Sequence, residues 1–168
     1  MNDQTIDNLS QCVDIALHYA ASKGADQAEV AATEDSGLSI SARMRDIETL
    51  EYQNDRGLGL SVYLKKAKGS ASTADFSEEA IRQAVDKALS IASQTTADDC
   101  AGLADESMLA VDPPKLALDF PWQVGPEQVR ELALECEAAA LDSDARISNS
   151  EGGAVSTGQS FVSPCWDG

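Results

Sequence analysis

Along Arg56-Gly57-Leu58-Gly59-Leu60-Ser61-Val62-Tyr63-Leu64-Lys65-Lys66-Ala67-Lys68-Gly69-Ser70-Ala71-Ser72-Thr73-Ala74, Leu58, Leu60, Val62 and Leu64 fall at every second position. A period of two across Gly57 to Lys65 predicts a strand with one buried and one wet face. Lys66-Ala67-Lys68-Gly69 reads as a turn, and Gly69 to Ala74 as a following strand made of small residues. The same period runs upstream. Leu38, Ile40, Ala42 and Met44 alternate with Ser39, Ser41, Arg43 and Arg45, Ile47 to Gln53 pairs next, and Ala28 to Thr33 reads as a first strand. Asp35-Ser36-Gly37 and Asn54-Asp55-Arg56-Gly57 are turn-like links, so the predicted arrangement is an antiparallel meander.

Helical spacing brackets these strands. Ile6, Leu9, Val13, Ala16, Leu17 and Ala20 predict a helix from about Thr5 to Lys23, stopped by Gly24. A second helix begins at Ser77, whose hydroxyl can cap free amides, with Phe76 and Ile81 placed as a hydrophobic staple. Its inward stripe is Ile81, Val85, Ala88, Leu89 and Ala92. Thr95 to Gln123 holds most of the prolines and several acidic patches, and reads as a surface loop. A third helix opens with Pro126 after Gly125 and carries Val129, Leu132, Ala133, Cys136 and Ala140 inward. After Asp144 the pattern is that of a closing β-hairpin around Asn149-Ser150-Glu151-Gly152-Gly153. The predicted class is α+β: a curved antiparallel β-sheet, a meander, with about three α-helices packed on one face.

With 168 residues, 43% of them hydrophobic, the chain can bury one ordinary core. Its formal charge of −17, from 29 acidic and 12 basic residues, argues against direct contact with nucleic acid, which needs Lys and Arg to neutralise phosphates. An anionic membrane surface is disfavoured for the same reason. The first residues lack the basic and apolar regions of a signal peptide, and no apolar run approaches the ~18 residues of a membrane span, so a cytoplasmic location is expected. Cys12, Cys100, Cys136 and Cys165 are far apart and form no CxxC pair. Cys12 and Cys136 fall on apolar helical faces, where burial as small hydrophobes is expected.

Catalytic patterns are missing from the sequence. The single histidine, His18, lies inside the first helix with no His or Glu at metal-pair spacing, and no H-E-x-x-H occurs. Gly57-Leu58-Gly59 opens a strand instead of a helix, which is the wrong context for a phosphate loop. Ser70, Ser72, Thr73 and Ser77 have no partner placed to activate them as nucleophiles; strand-edge and helix-cap roles fit them better. No residue is assigned a catalytic or metal-binding role.

Several blocks together resemble the amino-terminal domain of the TldE (PmbA) family, the "modulators of DNA gyrase" grouped with TldD-like peptidases. They are Gly24-Ala25-Asp26-Gln27-Ala28-Glu29-Val30, Asn54-Asp55-Arg56-Gly57-Leu58-Gly59-Leu60-Ser61-Val62-Tyr63, Lys68 to Ser77, Asp99-Cys100-Ala101-Gly102-Leu103-Ala104-Asp105, and Asn149-Ser150-Glu151-Gly152-Gly153. Order and spacing agree over about residues 5 to 162. The resemblance implies a TldE-like subunit that pairs with a TldD-like subunit into a heterodimeric zinc metalloprotease. In that family the zinc motif H-E-x-x-x-H belongs to the TldD-like chain, so no cofactor is expected here and zinc is expected in the partner. The assembly degrades flexible peptides, including an antitoxin and the leader of a microcin, which accounts for the gyrase name without DNA contact. A sheet edge can hold such peptides through main-chain bonds. Asn54, Arg56, Asn149, Ser150 and Glu151 are the candidate peptide or partner contacts, although Asn149 to Glu151 also reads as a plain turn. Residues 1–162 are expected to form the family's first domain. Residues 163–168 match nothing expected there and read as the tail of a truncation, with the carboxy-terminal domain absent. The alternative reading is a stand-alone domain that binds peptides or a partner.

Overall fold

The computed structural model describes residues 2–108, 114, 116, 118 and 120–167. These form α1 (Asn2–Ser22), β1 (Gln27–Arg43), β2 (Asp46–Leu64), β3 (Ala67–Thr73), α2 (Glu78–Gln94), a 3-10 turn (Glu106–Met108), α3 (Pro126–Leu141) and β4 (Gly153–Asp167). The strands lie in the order β3-β2-β1-β4. β2 pairs antiparallel with β3, from Leu58 opposite Thr73 to Leu64 opposite Ala67. The fold is α+β, as the change of period along the chain predicts. No helix among the described residues is long and apolar enough to cross a membrane.

The strands are longer than predicted. Residues 28–33 and 38–43 are one strand, β1, and 47–53 and 57–64 are one strand, β2. Asp35-Ser36-Gly37 and Asn54-Asp55-Arg56-Gly57 therefore lie within strands and make no turn. Gly37 serves close approach instead: a Cβ there would sit 2.9 Å from the Thr157 carbonyl oxygen. The actual reversals are the two-residue loops Met44-Arg45 and Lys65-Lys66, with φ of 52° and 68°, then 49° and 69°. Consecutive positive φ values are the geometry of the type I′ hairpin, whose twist matches its strands. Bulky residues cost roughly 1–2 kcal/mol each in this region. Carboxylates from distant elements offset that cost. The Lys65 amide donates to Asp26 Oδ2 at 2.5 Å, and the amides of Met44 and Arg45 donate to the two oxygens of Glu137 at 2.6 and 2.7 Å.

Packing divides the described residues into two compact units, one drawn from 1–34, 56–115 and 161–168, the other from 35–55 and 116–160. In the first unit, Leu9, Val13, Ala16 and Leu17 of α1 and Ile81, Val85 and Ala88 of α2 share a core with Val30 and Ala32 of β1 and Leu58, Leu60 and Val62 of β2. Gly24, at φ 85°, ends α1, and its amide donates to the Ala21 carbonyl at 3.0 Å. Ser77 caps α2 by accepting from the Ala80 amide; of the staple residues, Ile81 belongs to the core and the half-buried Phe76 packs against it. α2 lies directly on β3, because a Cβ on Gly69 would strike the Ala88 carbonyl and come within 2.5 Å of the Ala92 nitrogen.

The second unit is built on Leu38, Ile40 and Ala42 of β1 and Val129 and Ala133 of α3. Here the predicted inward stripe needs correction. Val129, Ala133 and Glu137 are the buried residues of α3, while Cys136, Ala140 and Leu132 are exposed. Spacing by four selects the face, and its third place is taken by a carboxylate instead of a hydrophobe. Cys136 is thus not a buried thiol, whereas Cys12 is. The predicted closing hairpin is also absent: residues 145–152 form no strand, and β4 runs without a break from Gly153 through residues 163–167. Ser163 is tied to α1 by a 3.1 Å bond between its hydroxyl and that of Ser10. In the predicted loop Thr95 to Gln123, residues 109–113, 115, 117 and 119 lie outside the described residues; the others hold only the 3-10 turn.

Candidate functional site

In the first unit, Ala28, Val30 and Ala32 are buried, so alternation turns Glu29, Ala31 and Thr33 to the opposite face of the sheet. The β2–β3 register places Ser72 opposite Gly59, Ser70 opposite Ser61 and Lys68 opposite Tyr63. Because most of these side chains are small, the face is hollow. A groove of about 650 Å³ runs over Glu29, Ala31, Gly59, Ser61, Ser70 and Ser72, and Cys165 and Trp166 of β4 also line it.

One end of this face is ionic. Tyr63 donates its hydroxyl to Glu29 Oε1 at 3.1 Å, and Lys68 Nζ donates to the same oxygen at 3.1 Å. The Lys68 ammonium also lies 5.4 Å from the centre of the Tyr63 ring. Burial pushes the Glu29 carboxyl up, but the hydrogen bonds from Lys68 and Tyr63 and the Lys68 charge outweigh it and hold the group below its ordinary value. Lys68 is raised, first by its bond to Glu29. A lysine held charged in this way is no general base. Ser61 and Ser70 bond to each other at 3.0 Å, and Ser77 is committed to its cap. The groove offers surface for binding.

The candidate contacts from the sequence are scattered in role. Asn54 is exposed near the middle of β2. Arg56 donates from Nε to the Ala74 carbonyl at 3.2 Å and lies 5.2 Å from the centre of the Phe76 ring, which closes β2 onto the segment leading into α2. Asn149 and Glu151 are exposed in the segment before β4. Ser150 is structural: its hydroxyl donates to Glu137 Oε1 and accepts from the Gly152 amide at 3.1 Å. Glu137, which pattern reading passed over, is 2% exposed and collects Ser150 and the Met44 and Arg45 amides. Its carboxyl is held below the ordinary range, first by the Ser150 hydroxyl and then by the Arg45 amide.

His18 is exposed, with Nδ1 2.7 Å from the Asp14 carbonyl of its own helix. Among the described residues no three His, Cys, Asp or Glu converge on one point.

Residues 28–92 match the family model for the PmbA/TldA metallopeptidase domain 1. Over 144 residues, 86% of this chain, the sequence is 50% identical to the Metalloprotease PmbA homolog of Haemophilus influenzae. The chain carries the first domain of the PmbA/TldD family. It is also 44% identical over 149 residues, 89% of this chain, to Metalloprotease PmbA of Escherichia coli O157:H7. The matched regions are 32% and 33% of those two proteins, so the chain spans about a third of the curated relatives' length. Among solved structures, a chain described as a modulator of DNA gyrase from Bacteroides thetaiotaomicron superposes with a TM-score of 0.80 at 24% identity, covering 94% of this chain and 36% of that one. TldE from Thermococcus kodakarensis gives 0.65 at 17% identity, covering 91% and 34%. These two likenesses concern the fold.

Proposed function

We propose that the chain is the amino-terminal part of a TldE-like, non-zinc subunit that pairs with a TldD-like zinc subunit into a cytoplasmic metalloprotease of flexible peptides. Alone it is inactive. The observation that carries this reading is the identity of 44–50% to PmbA metalloproteases over most of the chain. The chemistry agrees with it, because Lys68 is tied up as a cation, Ser61 and Ser70 are tied to each other, and Ser77 is tied to a helix cap. The test is to purify the chain with and without a TldD-like subunit and measure zinc content, peptide cleavage and gel-filtration profile. Co-elution, with zinc and cleavage found only when the partner is present, is the expected result. Stoichiometric zinc or peptidase activity in the isolated chain would overturn it. The hollow sheet face favours a second reading, a stand-alone peptide-binding domain. That reading gains if the chain binds peptides yet never co-elutes with the zinc subunit.

A further inference from the structure

The strand β3 covers only part of β2. Its register stops at Leu58 opposite Thr73, and β3 is the strand on that side of β2. Among the described residues, then, no strand pairs with the outer edge of β2 from Asp46 to Asp55. From Glu48 onward every residue of this stretch is exposed. An edge of that length presents a row of main-chain donors and acceptors to whatever extended segment can reach it.

Two further features say what kind of segment fits. Leu50 and Tyr52 are 50% and 66% exposed and stand two positions apart, so they lie on the same face and can act as cross-strand neighbours for apolar side chains on an added strand. The stretch also carries Asp46, Glu48, Glu51 and Asp55 with no Lys or Arg. Arg43 approaches Glu48 at 3.7 Å, but no ion pair among the described residues involves Glu51 or Asp55. Such charges repel a second copy of the same edge, and they attract a basic segment. The outer edge of β3 lacks comparable anchors, since Gly69, Ser70, Ala71 and Ser72 offer only small side chains.

We infer that the Asp46–Asp55 edge of β2 takes up an extended peptide of alternating basic and apolar residues as an added strand. This deepens the peptide-handling reading above by naming the substrate class and the place where it docks. It requires no TldD-like subunit, so its failure would leave the co-elution and zinc results standing.

The experiment uses the full chain and a fluorescein-labelled eight-residue peptide in which Lys alternates with Val, followed by fluorescence anisotropy at low salt. Binding should weaken as salt rises. A fully N-methylated version keeps the charges but loses its main-chain donors, and should bind roughly thirtyfold more weakly or worse. Glu51→Lys with Asp55→Lys should cost roughly tenfold for the basic peptide and favour a Glu-Val analogue. Amide chemical shifts of the unsubstituted chain give a readout that does not depend on the variant folding, and should move within residues 46–55. Equal binding of the N-methylated peptide, shifts confined to the groove over Gly59 and Ser72, or a chain that dimerises through this edge would each overturn the proposal.

Discussion

Glu137 has a hydrophobic residue's place on α3 and a polar residue's task. Its carboxylate receives the Met44 and Arg45 amides and the Ser150 hydroxyl, so one side chain fixes a type I′ turn and the approach to β4. The three donors bond to the ionised form and hold its pKa below the ordinary 4.5. A depressed folded pKa contributes stability that is complete above the unfolded value and is lost as pH falls through the folded one. Glu137→Gln should therefore lower the thermal midpoint by roughly 5 °C at pH 7. It should also flatten, without abolishing, the loss of stability below about pH 4.5, because Glu29, Asp75, Asp142 and Asp144 are lowered too. Melting curves from pH 7 to pH 3 check both effects; an unchanged pH slope would remove the carboxylate from this role. In the sequence this residue was invisible for a physical reason. Counting apolar positions along α3 selects Cys136, whereas the buried place goes to a carboxylate whose donors lie up to 93 residues away.

At the scale of elements, what could be read locally was read. The helical stops and caps at Gly24, Ser77 and Gly125 depend on neighbours within one turn, and they stand where the sequence puts them. The strand limits were not legible in the same way. Asp35-Ser36-Gly37 and Asn54-Asp55-Arg56-Gly57 have turn composition but are held extended by pairing with other strands, while Met44-Arg45 and Lys65-Lys66 turn without turn residues because distant carboxylates bind their amides. The groove shared this limit, since only the register of β2 against β3 shows that Ser70 and Ser72 lie beside Ser61 and Gly59. Glycines also mark helix–sheet contacts that composition alone does not announce. A Cβ on Gly153 would lie 2.5 Å from the Ala133 carbonyl and 2.9 Å from the Glu137 nitrogen, so α3 rests on β4 at that point. Gly153→Ala should cost about 2–4 kcal/mol, as overpacking against backbone does. Gly59→Ala, with nothing within 4 Å of its added Cβ, is the matched control and should be far milder. Denaturant midpoints of the two variants measure the contrast, and equal midpoints would mean that α3 does not press on β4.

For the whole molecule, the division into two units makes stability uneven. Among the described residues, the core shared by α1, α2 and the strands of the first unit counts seventeen buried members. That around α3 counts five, with Glu137 bonded nearby. Each fully buried Val, Leu or Ile contributes on the order of 1.5–3 kcal/mol, and the first core holds nine of them against three in the second, so the second unit has much less to hold it closed. Local opening follows the smaller core. Amides at Leu38, Ile40, Ala42, Val129 and Ala133 should then exchange with solvent at least roughly tenfold faster than those at Val13, Val62, Ile81 and Val85, a factor corresponding to about 1.4 kcal/mol. Acid should loosen both units, because carboxyls held below their ordinary values lie in each: Glu29 and Asp75 in the first, Glu137, Asp142 and Asp144 in the second. Hydrogen exchange at pH 7 and pH 4, corrected for the intrinsic rates, measures both. Equal protection of the two cores would show that the small core never opens on its own; the free edge of β2, which belongs to the same unit, would then meet an incoming strand as a preformed surface.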